Sequence, residues 1–154
     1  MSQGASTNAF ALQSREVLAT HARTFNLASI FLPNDQRDDA AIVYAFCREV
    51  DDLVDEAKDP EVGRRAVEEL GEMLRGERAA NPLADAFLEV VERRGIPIQA
   101  AHDLMDGVVS DVGEVTLVDD NDLIQYGYAV AGTVGLMMCG VIGVKEPWAL
   151  AHAI

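Results

Sequence analysis

The sequence is poor in cationic side chains. It has 12 Lys and Arg against 26 Asp and Glu, which gives a formal net charge of −14. A chain this acidic repels the phosphate backbone at long range, so the composition argues against a DNA- or RNA-binding protein. It also has no cluster of basic residues of the kind that attracts anionic lipid.

Cysteine is scarce as well, and the two thiols, Cys47 and Cys139, fit no zinc-binding spacing. We expect both to be small buried hydrophobic side chains in a reducing cytosol. Residues 1–8 are polar and lack the apolar run of a signal peptide. These features together predict a cytoplasmic protein.

No segment shows the sustained alternation of a strand, and most of the chain has helical periodicity. Asn34, Asp59 and Asn81 are each predicted to cap the start of a helix, the last two being followed by proline. We predict helices over 9–31, 35–57, 60–76, 82–95, 97–111 and 121–144, a last helix from Pro147, and brief extended structure at 115–118. The predicted fold class is an all-α bundle.

The segment Tyr44-Ala-Phe-Cys-Arg-Glu-Val-Asp-Asp-Leu-Val-Asp-Glu56 carries most of the chemical information. At 100° per residue, Tyr44, Arg48, Asp51 and Asp55 fall within a stripe about 60° wide on one helix face. The two aspartates are spaced i,i+4, about 5–6 Å apart at Cβ, and repel each other unless a cation lies between them. Mg²⁺ prefers carboxylate oxygens and takes phosphate oxygens as further ligands. The planar guanidinium of arginine matches the geometry of phosphate oxygens. The stripe therefore suits a diphosphate bound through magnesium.

A simpler interpretation of the same residues is a solvated helix surface. In that case Arg48 would pair with Asp52, one turn further on, for a few tenths of a kcal/mol. Spacing alone favours this surface interpretation over a binding site.

Residues 126–144 form a run of 19 residues without a charge, which is long enough to cross a membrane. Five of them are glycines, and each glycine costs about 1 kcal/mol inside a helix: Gly127, Gly132, Gly135, Gly140 and Gly143. Close packing in a membrane is one reason for so many, and room for a long apolar ligand is the other. Acidic residues before the run, where a span favours Lys or Arg, argue against the membrane.

Asp111 follows Leu104 and Val108 on one face of its predicted helix. A carboxylate on an apolar face is costly unless it is paired or bound to a cation, so we expect Asp111 to belong to a site. We expect the nearby Asp103 to be solvated.

Four segments, in order, resemble the squalene/phytoene synthase family. They are His21-Ala-Arg-Thr-Phe25 with Phe31-Leu-Pro33, the acidic segment 44–56, Leu104-Met-Asp-Gly-Val-Val-Ser-Asp111, and Tyr126-Gly-Tyr-Ala-Val-Ala-Gly-Thr-Val-Gly135. The continuation over 137–144 looks most like bacterial phytoene synthases. The resemblance implies a helical bundle of the isoprenoid synthase type.

The family joins two prenyl diphosphates head to head. The resemblance implies condensation of two geranylgeranyl diphosphates to phytoene through a cyclopropyl diphosphate. A farnesyl diphosphate enzyme making presqualene diphosphate, dehydrosqualene or squalene is the alternative, and a non-catalytic magnesium-binding helical fragment is another. The apolar product implies peripheral contact with the inner face of the membrane.

The resemblance also assigns roles to residues. It implies that Asp51 and Asp55 hold Mg²⁺, with Mn²⁺ as the alternative, and that Asp111 faces the same site. The remaining assignments are diphosphate binding by Arg48, His21 and Thr24, placement of Tyr44 and Tyr126 near the reacting carbons, and an apolar tunnel lined by Ala131, Val134 and Gly135.

One departure from the family concerns length. The family runs to about twice 154 residues and has a second aspartate-rich motif downstream, which residues 123–154 lack. We therefore expect 1–154 to be the N-terminal part of a single prenyl synthase domain, and to fold poorly alone because its last helices would expose apolar faces.

Overall fold

The computed structural model describes residues 14–16, 23–112 and 118–153, and these are helices joined by short connections. The helices are α1 Arg23–Ser29, α2 Asn34–Asp55, α3 Pro60–Leu74, α4 Pro82–Arg94, α5 Ile98–Ser110, α6 Asp120–Gly127, α7 Thr133–Ile142 and α8 Pro147–Ala153. A π-helical turn, Tyr128–Gly132, joins α6 to α7. Across the described ranges there is no strand, which confirms the all-α prediction.

Two of the three predicted helix caps are confirmed. The Asp59 side chain accepts the Glu61 N–H at 2.9 Å, and the Asn81 side chain accepts the Ala84 N–H at 2.8 Å. The prediction for Asn34 is wrong, because Asn34 is the first residue of α2 and Pro33 holds the cap position without a side-chain bond. Proline fixes φ near the helical value, so α2 begins without a capping side chain.

Some of the predicted boundaries fall on residues that the structure does not describe. The predicted helix 9–31 is described over 14–16 and Arg23–Ser29, both helical. The predicted extended structure at 115–118 lies almost wholly outside the described residues, and Val118 is in no regular element.

The core is built around α2, which packs against α3, α4, α5 and α7. Phe46 of α2 stacks on Phe87 of α4, with ring centroids 3.8 Å apart and planes 10° apart. Cys47 and Cys139 are both buried, as predicted, and burial raises the pKa of the Cys47 thiol to about 12. Because one side of α2 forms the core, its polar stripe is held at the edge of that core.

One continuous helix, Asp120–Ile142, runs through α6, the π-helical turn and α7. Among the described residues it is long and apolar enough to cross a membrane, by length and composition only. Its Thr133, Met137 and Val141 are fully buried against the core. Core helices of soluble proteins pass the same test, so this feature is weak evidence for a span.

Candidate active site

The polar stripe of α2 forms as the sequence predicts, because α2 is an unbroken helix from Asn34 to Asp55. Asp51 is half-buried and Asp55, the last residue of the helix, is exposed. Phe46 and Val50 are fully buried on the adjoining face. The carboxylates therefore lie where α2 passes from the core to the surface.

The electrostatic surroundings of Asp51 show which charges share the site. Burial raises the pKa of Asp51, the Arg48 guanidinium lowers it, and the charges of Asp55, Asp52 and Asp111 raise it further. Asp111 belongs to the end of α5 and not to α2. The fold thus brings the third predicted aspartate close enough to act on the first, and the site is rich in negative charge.

Asp111 is held by a tyrosine from the next helix. The Tyr126 hydroxyl donates to Asp111 Oδ2 at 2.9 Å, and this bond raises the pKa of Tyr126. The other oxygen, Oδ1, is buried and has no hydrogen-bond partner in the described structure. A buried carboxylate oxygen without a donor is costly, so Asp111 is poised to accept a further donor or a positive charge.

Arg48 is paired in this structure with a neighbour on its own helix. Its Nε donates to Asp52 Oδ2 at 3.1 Å, and its Nη2 forms an ion pair with Asp52 Oδ1. The pairing proposed under the surface interpretation is therefore confirmed. The Arg48 side chain is still 38% exposed, so a ligand above the stripe can reach it.

Tyr44 lies one turn before Arg48 on the same helix face and is half-buried. Burial raises the pKa of Tyr44, the charge of Arg48 lowers it, and the charge of Asp51 raises it. The phenol is therefore close to both charged groups, as the helical spacing predicted.

The oxygen-rich stripe fits Mg²⁺ or Mn²⁺ by its donor chemistry. In the described part of the chain, no three His, Cys, Asp or Glu side chains form a cluster that could hold a metal ion alone. Mg²⁺ in proteins is usually bound by one or two carboxylates together with water and substrate phosphates. As a pair of carboxylates on one helix face, Asp51 and Asp55 suit that mode of binding.

Other predicted site residues have varied surroundings. His21 lies outside the described residues, Thr24 is exposed on α1, and Ala131 is exposed in the π-helical turn. Val134 packs against the hydrophobic core. A Cβ at Gly135 would collide with the carbonyl oxygen of Ala153 in α8, so the packing of α8 on α7 requires glycine at this position. The tunnel stays a prediction.

The sequence predicted neither tyrosine–aspartate hydrogen bond, and the expectation for Asp103 is wrong. Asp103 is half-buried, accepting the Tyr128 hydroxyl at 2.7 Å and the Gln99 side-chain amide at 2.8 Å. The signal was available, since Asp103, Gly107 and Asp111 recur every four residues and so form one stripe.

Comparison with known proteins gives one consistent family. Residues 18–154 match the family described as Squalene/phytoene synthase. The phytoene synthase of Cereibacter sphaeroides is 37% identical over 150 residues, which cover 90% of this chain and 42% of that protein. The 15-cis-phytoene synthase of a Paracoccus species is 31% identical, with 92% of this chain and 50% of that protein covered. The chain thus spans about half the length of these relatives.

Solved structures agree with the sequence relatives. The squalene synthase HpnC of Alicyclobacillus acidocaldarius superposes with a TM-score of 0.81 and 26% identity, covering 96% of this chain and 56% of that one. A dehydrosqualene synthase superposes with a TM-score of 0.77 and 26% identity, covering 88% and 48%. The helical arrangement described above is therefore that of a known enzyme fold.

Proposed function

Because the chain belongs to the squalene/phytoene synthase family, we propose that it takes part in the magnesium-dependent, head-to-head condensation of two geranylgeranyl diphosphates to phytoene. The observation that supports the proposal most is the acidic site at the end of α2, where Asp51 is half-buried and the charges of Asp55, Asp52 and Asp111 act on its carboxyl group. Relatives named phytoene synthase support the choice of product.

In this proposal Asp51 and Asp55 hold Mg²⁺, with Mn²⁺ as the alternative ion. The bound metal supplies Lewis-acid stabilisation of the departing diphosphate. Arg48 exchanges Asp52 for diphosphate oxygens, which its planar guanidinium matches in two-point geometry. Thr24 and His21 are the further candidates for diphosphate contacts.

Tyr44 and Tyr126 act on the carbon skeleton. Departure of one diphosphate leaves an allylic cation, which an aromatic face stabilises. The second substrate's double bond attacks that cation, and loss of a proton from the resulting carbocation closes the cyclopropyl diphosphate. Departure of the second diphosphate then gives a cyclopropylcarbinyl cation, which rearranges and loses a proton to yield the linear product. Apolar side chains exclude water, which would trap either cation.

A shorter substrate is the alternative, and the likeness to a squalene synthase and a dehydrosqualene synthase supports it. Two farnesyl diphosphates would then give a C30 product. The depth of the apolar tunnel, to which Ala131 and Val134 are assigned, would decide between the two chain lengths.

Binding is the first measurement. We expect calorimetry to show geranylgeranyl diphosphate binding in the presence of Mg²⁺ and no binding after EDTA. Asp51→Asn should weaken that binding at least tenfold, because it removes one of the two proposed metal ligands. Glu49→Gln is the matched control: it removes one carboxylate from the same helix, about 200° around from Asp51.

The product is the second measurement. Extraction after incubation with each diphosphate distinguishes a C40 from a C30 hydrocarbon, and Asp51→Asn should abolish whichever forms. Equal binding after chelation and in the Asp51→Asn, Asp55→Asn double variant would contradict the proposal.

We also propose a cytoplasmic location with peripheral membrane contact through the apolar product. Cell fractionation should then release the protein without detergent. A requirement for detergent would favour the alternative in which Asp120–Ile142 spans the membrane.

A further inference from the structure

One stripe of α5 carries three contacts to the segment 126–129. Asp111 accepts the Tyr126 hydroxyl at 2.9 Å, and Asp103 accepts the Tyr128 hydroxyl at 2.7 Å. Between them, a Cβ added to Gly107 would lie 2.6 Å from the Cβ of Ala129. Residues 103, 107 and 111 are spaced by four, so the three contacts follow one another along about 12 Å of helix.

The middle contact, between Gly107 and Ala129, is a point of close backbone approach, which we call the pivot. Gly107 has no Cβ, and the backbone of Ala129 comes within 3.2 Å of where that atom would be. Such an approach fixes the distance between the two helices but leaves rotation about the contact unrestrained. Hydrogen bonds on both sides of the pivot remove that freedom.

The two tyrosines lie on opposite sides of the pivot for a geometric reason. Residues two apart in a helix leave the axis about 200° from each other. Tyr126 and Tyr128 therefore straddle the contact with α5, and each finds a carboxylate one turn from Gly107.

Tyr126 lies in α6, but the segment that begins with Tyr128 is not an ordinary helix. Tyr128–Gly132 is a π-helical turn, a rare form that often occurs at functional sites. The buried Thr133 hydroxyl donates to the Ala129 carbonyl at 2.7 Å. The Ala129 carbonyl therefore has a hydrogen-bond partner within the same helix. The position of the turn relative to α5 depends instead on the hydrogen bonds of Tyr128 and Tyr126.

Asp103 is held more fully than Asp111. Both of its oxygens accept a hydrogen bond, one from Tyr128 and one from Gln99 at 2.8 Å. Asp111 accepts one bond and keeps a buried oxygen without a partner in the described structure. The Tyr128–Asp103 pair, in which both carboxylate oxygens are bonded, is suited to holding the two helices together. The Tyr126–Asp111 pair, which keeps one unbonded oxygen, is suited to binding a ligand.

We propose that Tyr128 and Asp103 are positioning residues, whose hydrogen bond sets the π-helical turn on α5 and so holds the Tyr126 hydroxyl on Asp111. The geometric part of this inference needs no substrate. Its consequence for catalysis rests on the proposed function, because it assumes that Tyr126 lies beside the reacting carbons.

Tyrosine NMR tests the geometric part. With ¹³C at Cζ, the 3 tyrosines of the full chain give three signals, which Tyr→Phe variants assign. Asp111→Ala defines the position of the Tyr126 signal without its acceptor. We expect Tyr128→Phe and Asp103→Ala each to move the Tyr126 signal most of the way to that position.

The matched control is Asp106→Ala, which removes an exposed carboxylate from the same helix and should leave the Tyr126 signal unchanged. Circular dichroism identifies any variant that fails to fold, and two independent variants, one at each end of the bond, guard against that outcome. A Tyr126 signal at the wild-type position in whichever of the two variants folds would overturn the inference.

Kinetics test the catalytic part. Tyr128→Phe should lower kcat with geranylgeranyl diphosphate roughly tenfold and leave KM nearly unchanged, because a reacting-site group is misplaced while diphosphate contacts stay. If the wild type forms no product, the proposed function loses its support, and the NMR result still decides the positioning role. Unchanged kcat beside an active wild type would contradict the catalytic consequence.

Discussion

Arg94 of α4 donates to Asp39 of α2 at 2.5 Å, and the Asp39 side chain is 4% exposed. Arg93 donates to the other oxygen of the same carboxylate at 2.5 Å, and Arg94 also reaches Asp35 at 2.7 Å. The acidic residues at the start of α2 are therefore paired with arginine. Those at its end, Asp51 and Asp55, lie among other carboxylates, so one helix has a paired acidic end and a crowded acidic end.

The paired end should matter for stability. Asp39→Ala removes the buried carboxylate that Arg93 and Arg94 both contact and leaves Arg94 with the exposed Asp35. We therefore expect it to lower the free energy of unfolding by about 3 kcal/mol. Urea denaturation followed by circular dichroism measures the loss. Asp35→Ala is the control, because Asp35 is exposed, and its loss should be far smaller. Equal losses in both variants would show that burial of Asp39 is not the cause.

The crowded end should behave in the opposite way. Without metal, Asp51→Asn removes a repelled carboxylate from α2, so we expect it to raise the free energy of unfolding by about 0.5 kcal/mol. The same variant is expected to lose magnesium-dependent binding. Urea denaturation in EDTA provides the measurement, and a destabilised Asp51→Asn would mean that Arg48 compensates more charge than the pKa of Asp51 indicates.

The difference in the free energy of unfolding between the wild type and Asp51→Asn should depend on pH. The reason is the pKa of Asp51, which is raised above its ordinary value of 3.8. A raised carboxyl pKa means that the folded protein binds the proton more tightly than the unfolded chain. Wild-type stability should therefore rise relative to Asp51→Asn as the pH falls from 7 through the raised pKa towards 3.8. Denaturation series at several pH values in EDTA follow this change. A difference that stays constant with pH would contradict the assignment.

The close contact at Gly107 predicts a cost for a single methyl group. Gly107→Ala places a Cβ 2.6 Å from the Cβ of Ala129, so we expect a loss of about 1–3 kcal/mol, although alanine favours helices. Gly127→Ala is the matched control, since nothing lies within 4 Å of its added Cβ. Thermal denaturation should show opposite shifts for the two variants, and a stabilised Gly107→Ala would refute the close approach.

Arg48 gives a prediction that depends on the proposed function. Arg48→Lys keeps the charge but loses the two-point geometry, so geranylgeranyl diphosphate with Mg²⁺ should bind about tenfold more weakly. Asp52→Asn releases Arg48 from its partner and should leave that affinity unchanged or tighter. Calorimetry compares the two variants. Weaker binding in Asp52→Asn than in Arg48→Lys would indicate that Asp52 itself contacts the ligand.

Much of the fold could be predicted from local signals. Asp59 and Asn81 cap their helices as expected, and Gly95, at φ +64°, ends α4 where the sequence placed it. These features depend on neighbouring residues alone. The start of α2 was misplaced by one position, because Pro33 fixes the backbone there in place of an asparagine cap. The π-helical turn was also missed, since its sequence has the same periodicity as an ordinary helix.

The candidate site was predictable in part for the same reason. Tyr44, Arg48, Asp51 and Asp55 share one helix, so helical spacing alone aligns them. Asp103 was misjudged because its partner, Tyr128, lies 25 residues away, and periodicity cannot pair residues across helices.

The sequence by itself determined the helices, the acidic stripe of α2 and the family, because each depends on the order of nearby residues. The tertiary structure decided that Asp111 shares its charge with Asp51, and that Tyr126 and Tyr128 hold one stripe of α5. Those contacts depend on how α5 crosses α2 and the π-helical turn. Where α5 meets the π-helical turn, Gly107 allows the backbone of Ala129 to approach closely, a contact that no spacing along the chain encodes.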